Sequence, residues 1–251
     1  MMELDVNGLS YREVNDWLRQ CERDGVRHVT LRNVQGQRYI GTGLANGMRI
    51  DIEGTPGNDL GAFMDGCSIN VYGNAQDAVG NTMNAGRIVV HGRAGDVVGH
   101  SARGGEVYIR SDVGYRVGIH MKASAEKAPL LIIGGMARDF LGEYMAGGTL
   151  IVLGLESRML SLTGNYLGTG MHGGVIYLRG QVEPYKLGRE VSFQPMTEED
   201  WTRLRRYLAP YCAEFGFDLE EVLTAEFTKL LPSSTRPYGQ LYVGSVGAVV
   251  T

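Results

Sequence analysis

Cysteine is scarce in this chain, and the three copies lie far apart. Cys21, Cys67 and Cys212 form no CxxC pair, and an odd count leaves one unmatched. That argues against a disulfide framework or a cysteine-rich zinc site and makes a reducing cytoplasm the expected location. Proline is also low, at 7 residues, which excludes collagen-like and Pro/Gly-rich disordered sequence. No apolar run approaches the roughly 20 residues that a membrane helix needs. The N-terminal MMELDVNGLSYRE lacks the basic-then-apolar order of a secretion signal. The net charge of −4 comes with neither a basic stripe for nucleic acid nor an acidic tail. A soluble protein of 251 residues, with no membrane or nucleic-acid partner, is expected, and it is long enough to bury a sizeable core.

The residue in excess is glycine, with 37 copies, about twice the ordinary share. One register runs Gly41, Gly61, Gly80, Gly99, Gly118, Gly142, Gly168, spaced by 20, 19, 19, 19, 24 and 26 residues. Each of these glycines follows an aliphatic residue: Ile40, Leu60, Val79, Val98, Val117, Leu141, Leu167. A second glycine usually comes five or six residues later, as in Gly47, Gly66, Gly86, Gly105, Gly148 and Gly174. A third follows the next apolar run, as in Gly54, Gly73, Gly92, Gly134, Gly154 and Gly180, with Ser111 in its place in the fourth copy.

Between the second and third glycines lie short runs such as MRIDIE, CSINVY, RIVVH, EVYIR, TLIVL and VIYLR. They alternate with the period of a strand, and their inward candidates are Ile50/Ile52, Ile69/Val71, Ile88/Val90, Val107/Ile109, Leu150/Val152 and Ile176/Leu178. The fifth copy reads PLLIIG after an insertion, KASAEKA. A copy of about 20 residues cannot bury its own apolar face, but stacked copies can. The expected fold is all-β: a right-handed parallel β-helix of about seven turns, with an N-terminal helix and a C-terminal helical arm. Domain boundaries are expected at 1–35 for an N-terminal cap, 36–181 for the β-helix and 182–251 for the arm and tail. Ser10 and Glu13 make a capping box for the first helix, with Leu9 and Val14 as a hydrophobic staple. Thr197 and Asp218 are expected to cap two later helices, the second running through DLEEVLTAEFTKLL. The tail FTKLLPSSTRPYGQLYV is too polar for a core strand and too aromatic for disorder.

Several stretches imitate catalytic motifs. Gly99-His100-Ser101-Ala102-Arg103 resembles a serine nucleophile elbow, but it lacks the final glycine and precedes a strand rather than a helix. Thr82 and Phe63 occupy the serine's place in neighbouring copies, so Ser101 reads as a variable corner residue. A stand-alone serine hydrolase is the remote alternative. Gly168 to Gly173 matches GxGxxG but also leads into a strand, so no helix N-terminus would face a pyrophosphate. The histidines form no HxH or HExxH pair, although stacking could bring His100 and His120 together. Neither a catalytic, a cofactor-binding nor a metal-binding set is expected in this chain. SDVGYRVGIHMK and GGMARDFLGEYMAGG carry more aromatic, arginine and methionine residues than a scaffold needs. Tyr115, Arg116, Arg138, Asp139, Glu143 and Tyr144 are therefore the candidate partner interface.

The runs DLGAFMDG, AVGNTMNAGRIVVHG, VVGHSARGGEVYIR, YRVGIHMK and DFLGEYMAGGTLIVLG resemble the GXGXG β-helix domain found at the C-terminal end of the glutamate synthase large subunit. The likeness covers about residues 36 to 181, and the arm through RPYGQLYV looks most like the free-standing subunit of split glutamate synthases. It is similar, too, to the corresponding subunits of N-methylglutamate synthase and, more distantly, of formylmethanofuran dehydrogenase. The resemblance implies a structural subunit without its own active site. Its partners would be a class II glutamine amidotransferase subunit and an FMN-binding, iron–sulfur synthase subunit, so FMN and the cluster would belong to a partner. The chain begins Met1-Met2-Glu3, not with an amidotransferase cysteine, and has no clustered cysteines for a cluster. Patches left bare without those partners could also support self-association.

Overall fold

The computed structural model describes residues 1–45, 47–156 and 161–234. Among them a single sheet of eleven strands runs the length of the molecule. The short edge strand β1 (Met2–Asp5) pairs in parallel with β2 (His28–Gln35). From β2 the chain climbs one rung at a time through β3 (Arg49–Thr55), β4 (Asp65–Tyr72), β5 (Ala85–Val90) and β6 (Glu106–Ile109). It continues through β7 (Leu130–Ile133), β8 (Ala146–Val152) and β9 (Gly173–Arg179). All of these neighbours are parallel, so the fold is the expected parallel β-solenoid. Each glycine of the first register lies in the connection between two consecutive rungs.

Register follows the alternation in the sequence. Val29, Ile50, Ile69, Ile88, Val107, Leu131, Leu150 and Ile176 stand directly over one another. Leu31, Ile52, Val71, Val90, Ile109, Ile133, Val152 and Leu178 form a second such column. Both columns are buried in one continuous core with the aliphatic residues that precede the glycines. A slip of one residue would turn every one of these side chains outward, which makes the register strongly specified. The KASAEKA insertion is accommodated as an exposed loop, after which Leu130 rejoins the ladder opposite Glu106.

The residue between the two columns faces the other side of the sheet, and its character changes along the solenoid. It is Thr30, Asp51 and Asn70 in the first rungs, then Val89, Tyr108, Ile132, Ile151 and Tyr177. Helix α1 (Tyr11–Arg23) sits at the N-terminal end, where Val14, Leu18 and Cys21 join the interior core. Helix α2 (Glu198–Phe215) lies over the apolar half of the outer face, where Leu204, Leu208, Tyr211, Cys212 and Phe215 form a second core with Val89 to Tyr177. Helix α1 carries the capping box expected from Ser10 and Glu13, and Thr197 caps α2 as expected, with Asp200 completing a capping box there too.

The expected second helix of the arm stops after five residues and gives way to a strand. Asp218 caps a helix α3 of only five residues (Leu219–Leu223), and the chain then enters β11 (Phe227–Pro232). β11 pairs antiparallel with β9, and β10 (Val191–Gln194) pairs antiparallel with β11. Apolar spacing alone placed Phe227 and Leu230 on one helical side. As a strand, β11 sends Phe227 to the outer core and Leu230 to the inner one. The open edge of the last rung offers a full row of unpaired backbone groups, and covering it outweighs local helix preference. The polar look of FTKLLP therefore hides a capping strand. The rest of the tail from residue 235, RPYGQLYV included, lies outside the described residues. No helix among the described residues is long and apolar enough to cross a membrane.

Candidate interaction face

Every rung turns through the same corner, and the corner is unusual in its backbone. The seven register glycines have φ from +63° to +76°. The residue two before each glycine is also left-handed: Tyr39, Asp59, Ala78, Val97, Arg116, Phe140 and Tyr166. So is the residue two after it: Gly43, Phe63, Thr82, Ser101, His120, Tyr144 and Gly170. A left-handed conformation strains a residue with a Cβ by about 1–2 kcal/mol, yet half of the fourteen flanking slots carry large side chains. Gly99 shows why the central slot cannot. A Cβ there would enter the space of the Leu131 side chain of the next rung, at φ +70°. Val97 and Thr82 are the β-branched residues of the set, both at φ +53°, a conformation such side chains rarely adopt. Val97→Asn should raise the urea midpoint by the equivalent of about 0.5–1 kcal/mol, because asparagine tolerates this conformation. An unchanged or lowered midpoint would show that Val97's packing offsets the strain.

The bulky side chains of the upper corners stack on one another. The Phe140 and Tyr166 rings lie 4.8 Å apart and nearly parallel. The Arg116 guanidinium sits 4.5 Å from the Phe140 ring centre. His120 stacks on Tyr144 at 5.3 Å, and His100 approaches His120 at 6.2 Å. Arg116 is in direct contact with the carboxylate of Glu143, which is only 6% exposed. Burial first, and then the neighbouring His120, lowers the basicity of His100, with Asp59 acting in the opposite direction.

Three of the interface residues read from sequence, Arg116, Glu143 and Tyr144, meet at this face. Tyr115 and Arg138 pair beside it, with the guanidinium 5.5 Å from the ring centre. Asp139 serves the scaffold, since its carboxylate accepts the Asn165 backbone N–H at 2.8 Å. Asp77 and Asp96 do the same for Asp96 and Tyr115, at 2.8 and 2.9 Å. Sequence reading left Phe140, Tyr166 and His120 out of the interface, although it allowed His100 and His120 to approach each other, as they do at 6.2 Å. The signal was available in their fixed offset of two residues from a register glycine.

The stretches that imitate catalytic motifs lie in the turns of the solenoid. Ser101 occupies a left-handed corner slot, and no hydrogen bond joins it to His100 or His120. In the GxGxxG stretch, the Gly170 N–H is taken by the Glu190 carboxylate at 2.9 Å, and Gly173 begins β9. Among the described residues no three His, Cys, Asp or Glu side chains gather into a metal-binding group. A groove of about 690 Å³ lies on the adjoining corner, between Arg93, Asp112, Met136, Arg138 and Glu156. The Asp112 carboxylate on its wall is already bound to the Met136 N–H at 3.0 Å.

Stacked rungs turned by left-handed glycines, with bulky side chains on the outside of the turns, define a glycine-cornered β-solenoid. The chain belongs to the GXGXG motif family, whose family model matches residues 22–236. It is 46% identical over 248 residues to an uncharacterized protein of Methanocaldococcus jannaschii, an alignment covering 95% of each chain.

Proposed function

We propose that the protein is a non-catalytic structural subunit of a glutamate-synthase-like complex. In this reading it packs with a class II glutamine amidotransferase subunit and an FMN- and iron–sulfur-containing synthase subunit, which together form glutamate from glutamine and 2-oxoglutarate. The observation that carries it is the corner face. A fold rich in glycine keeps Arg116, His120, Phe140, Tyr144 and Tyr166 in slots where glycine would be unstrained. Strain retained against an easy alternative points to a role for the side chains, and aromatic and arginine side chains suit the centre of a protein interface. Membership of the GXGXG family is consistent with this reading and with equivalent subunits of N-methylglutamate synthase or formylmethanofuran dehydrogenase-like complexes.

Affinity purification of the tagged chain from its native cell, followed by mass spectrometry, tests the proposal. Stoichiometric amidotransferase and flavoprotein partners are expected. A chain that elutes alone, or with molybdopterin or amidohydrolase partners, would sink the glutamate-synthase assignment. Tyr144→Ala with Tyr166→Ala should weaken partner retention by about 2 kcal/mol or more, the scale of an interface hot spot. The isolated fold should survive, because neither ring belongs to the buried core.

A further inference from the structure

We propose that the corner of the two rungs bearing Gly99 and Gly118 docks an acidic segment of a partner protein, whose carboxylates pair with Arg103 and Lys122. The proposal rests on the scaffold reading only in requiring a protein partner.

The protein is net acidic, and most of its described cations are engaged by carboxylates or rings. Arg103 and Lys122 are exposed and take part in no ion pair or hydrogen bond through their side chains among the described residues. They occupy the same slot, four residues after the register glycine, on adjacent rungs. The Lys122 N–H donates to the Ala102 carbonyl at 2.9 Å, and the Arg103 N–H to Met83 at 2.8 Å. Rungs are about 4.8 Å apart, so two like charges are carried on neighbouring rungs, an unfavourable arrangement at low salt. The fold does not require it, since other rungs carry Asp65, Asn84 and Ala146 in this slot.

His100 and His120 stand on the same corner, 6.2 Å apart, and add positive charge when protonated. Most of the nearby carboxylates have partners of their own, and Asp59 still acts electrostatically on His100. Asp59 accepts from the Asn81 amide at 2.9 Å, and Asp65 lies 3.6 Å from Lys127. Glu143 is held by Arg116, and Glu126, four residues beyond Lys122, makes no ion pair with it. None of Arg103, Lys122, His100 and His120 lines the groove beside Asp112. The patch is small and lies outside that groove, which suits an acidic peptide better than an enclosed small anion or the long charge track of a nucleic acid.

Two measurements on the full chain test this. The first is fluorescence anisotropy of a labelled Asp/Glu-rich decapeptide at low salt. The wild type should bind it, Arg103→Glu/Lys122→Glu should bind about tenfold more weakly, and Arg189→Glu, outside the corner, less than twofold more weakly. No binding by the wild type, equal losses in both variants, or preferential displacement by a single-stranded oligonucleotide would overturn the proposal. The second is carbodiimide cross-linking of the co-purified assembly, read by mass spectrometry. Lys122 should join a partner Asp or Glu, and a Lys122 left unmodified in the intact assembly would overturn it. If no partner co-purifies, the scaffold reading fails while the peptide titration still reports on the corner.

Discussion

Asp200→Ala should lower stability by about 3–5 kcal/mol, the range for removing one partner of a buried ion pair. Asp200 has a side chain 3% exposed and lies 2.7 Å from the Lys229 ammonium of β11. It accepts from the Tyr177 hydroxyl at 2.6 Å and closes the capping box with Thr197. One carboxylate therefore joins α2, β9 and β11. Its removal strands a largely buried lysine and a buried phenol at once. Urea denaturation followed by hydrogen exchange across residues 198–215 measures the effect, and exchange should rise there before it rises in β4 to β6. Asp200→Leu combined with Lys229→Met should recover much of the loss, because an apolar pair needs no desolvation. A double variant no better than Asp200→Ala would show that the cap and the Tyr177 bond, not the ion pair, hold the helix.

The same group sets an acid limit. Burial opposes ionisation of Asp200, but hydrogen bonds from Lys229, Tyr177 and Thr197 outweigh it and hold the carboxyl far below the usual range. A carboxyl whose pKa falls on folding contributes fully above its unfolded value, near 4. That contribution disappears as pH drops through the folded value. Docking of α2 should thus be insensitive to pH from 8 to 5 on account of this group and weaken below about pH 4. In Asp200→Ala this part of the acid sensitivity should vanish.

Gly99→Ala should destabilise the solenoid by about 2–4 kcal/mol, combining left-handed strain with overpacking of a dry core. The residue lies at φ +70°, and the added carbon would meet Leu131 of the next rung. Ser101→Gly, two residues on, should be neutral or stabilising, because it relieves the strain of a serine at φ +54°. Thermal midpoints distinguish the two substitutions. Comparable losses from both would mean that the Ser101 side chain does something its corner position does not explain. The pair also bears on the apparent nucleophile motif, in which the glycine is indispensable for packing and the serine is not.

Much of the fold was legible because strand period and glycine spacing are local signals. Ile50 over Ile69 over Ile88 follows from alternation and a nearly constant repeat, and the caps at Ser10, Thr197 and Asp218 follow from side-chain chemistry within four residues. The switch of the outer column from Asp51 and Asn70 to Val89 and Tyr108 was equally present in the sequence. It is hidden from the inward alternation of any single strand and shows only where neighbouring rungs lie side by side. It marks where α2 must lie, since an apolar outer face needs a cover.

The sequence by itself determined the repeat, the strands and their inward faces, because each depends on residues close together in the chain. Tertiary structure alone decided that Phe227–Pro232 is a strand, since its preference is overridden by the unpaired edge of β9. It also decided which side chains meet. Arg116 and Glu143 are 27 residues apart, and Asp200 and Lys229 are 29 apart. The first pair spans the KASAEKA insertion and the second joins a helix to a strand outside the repeat, so no fixed spacing reveals either. The strained corner side chains belong to both levels. Their offset from glycine is written in the sequence, but the positive φ that makes their retention informative exists only in the folded backbone.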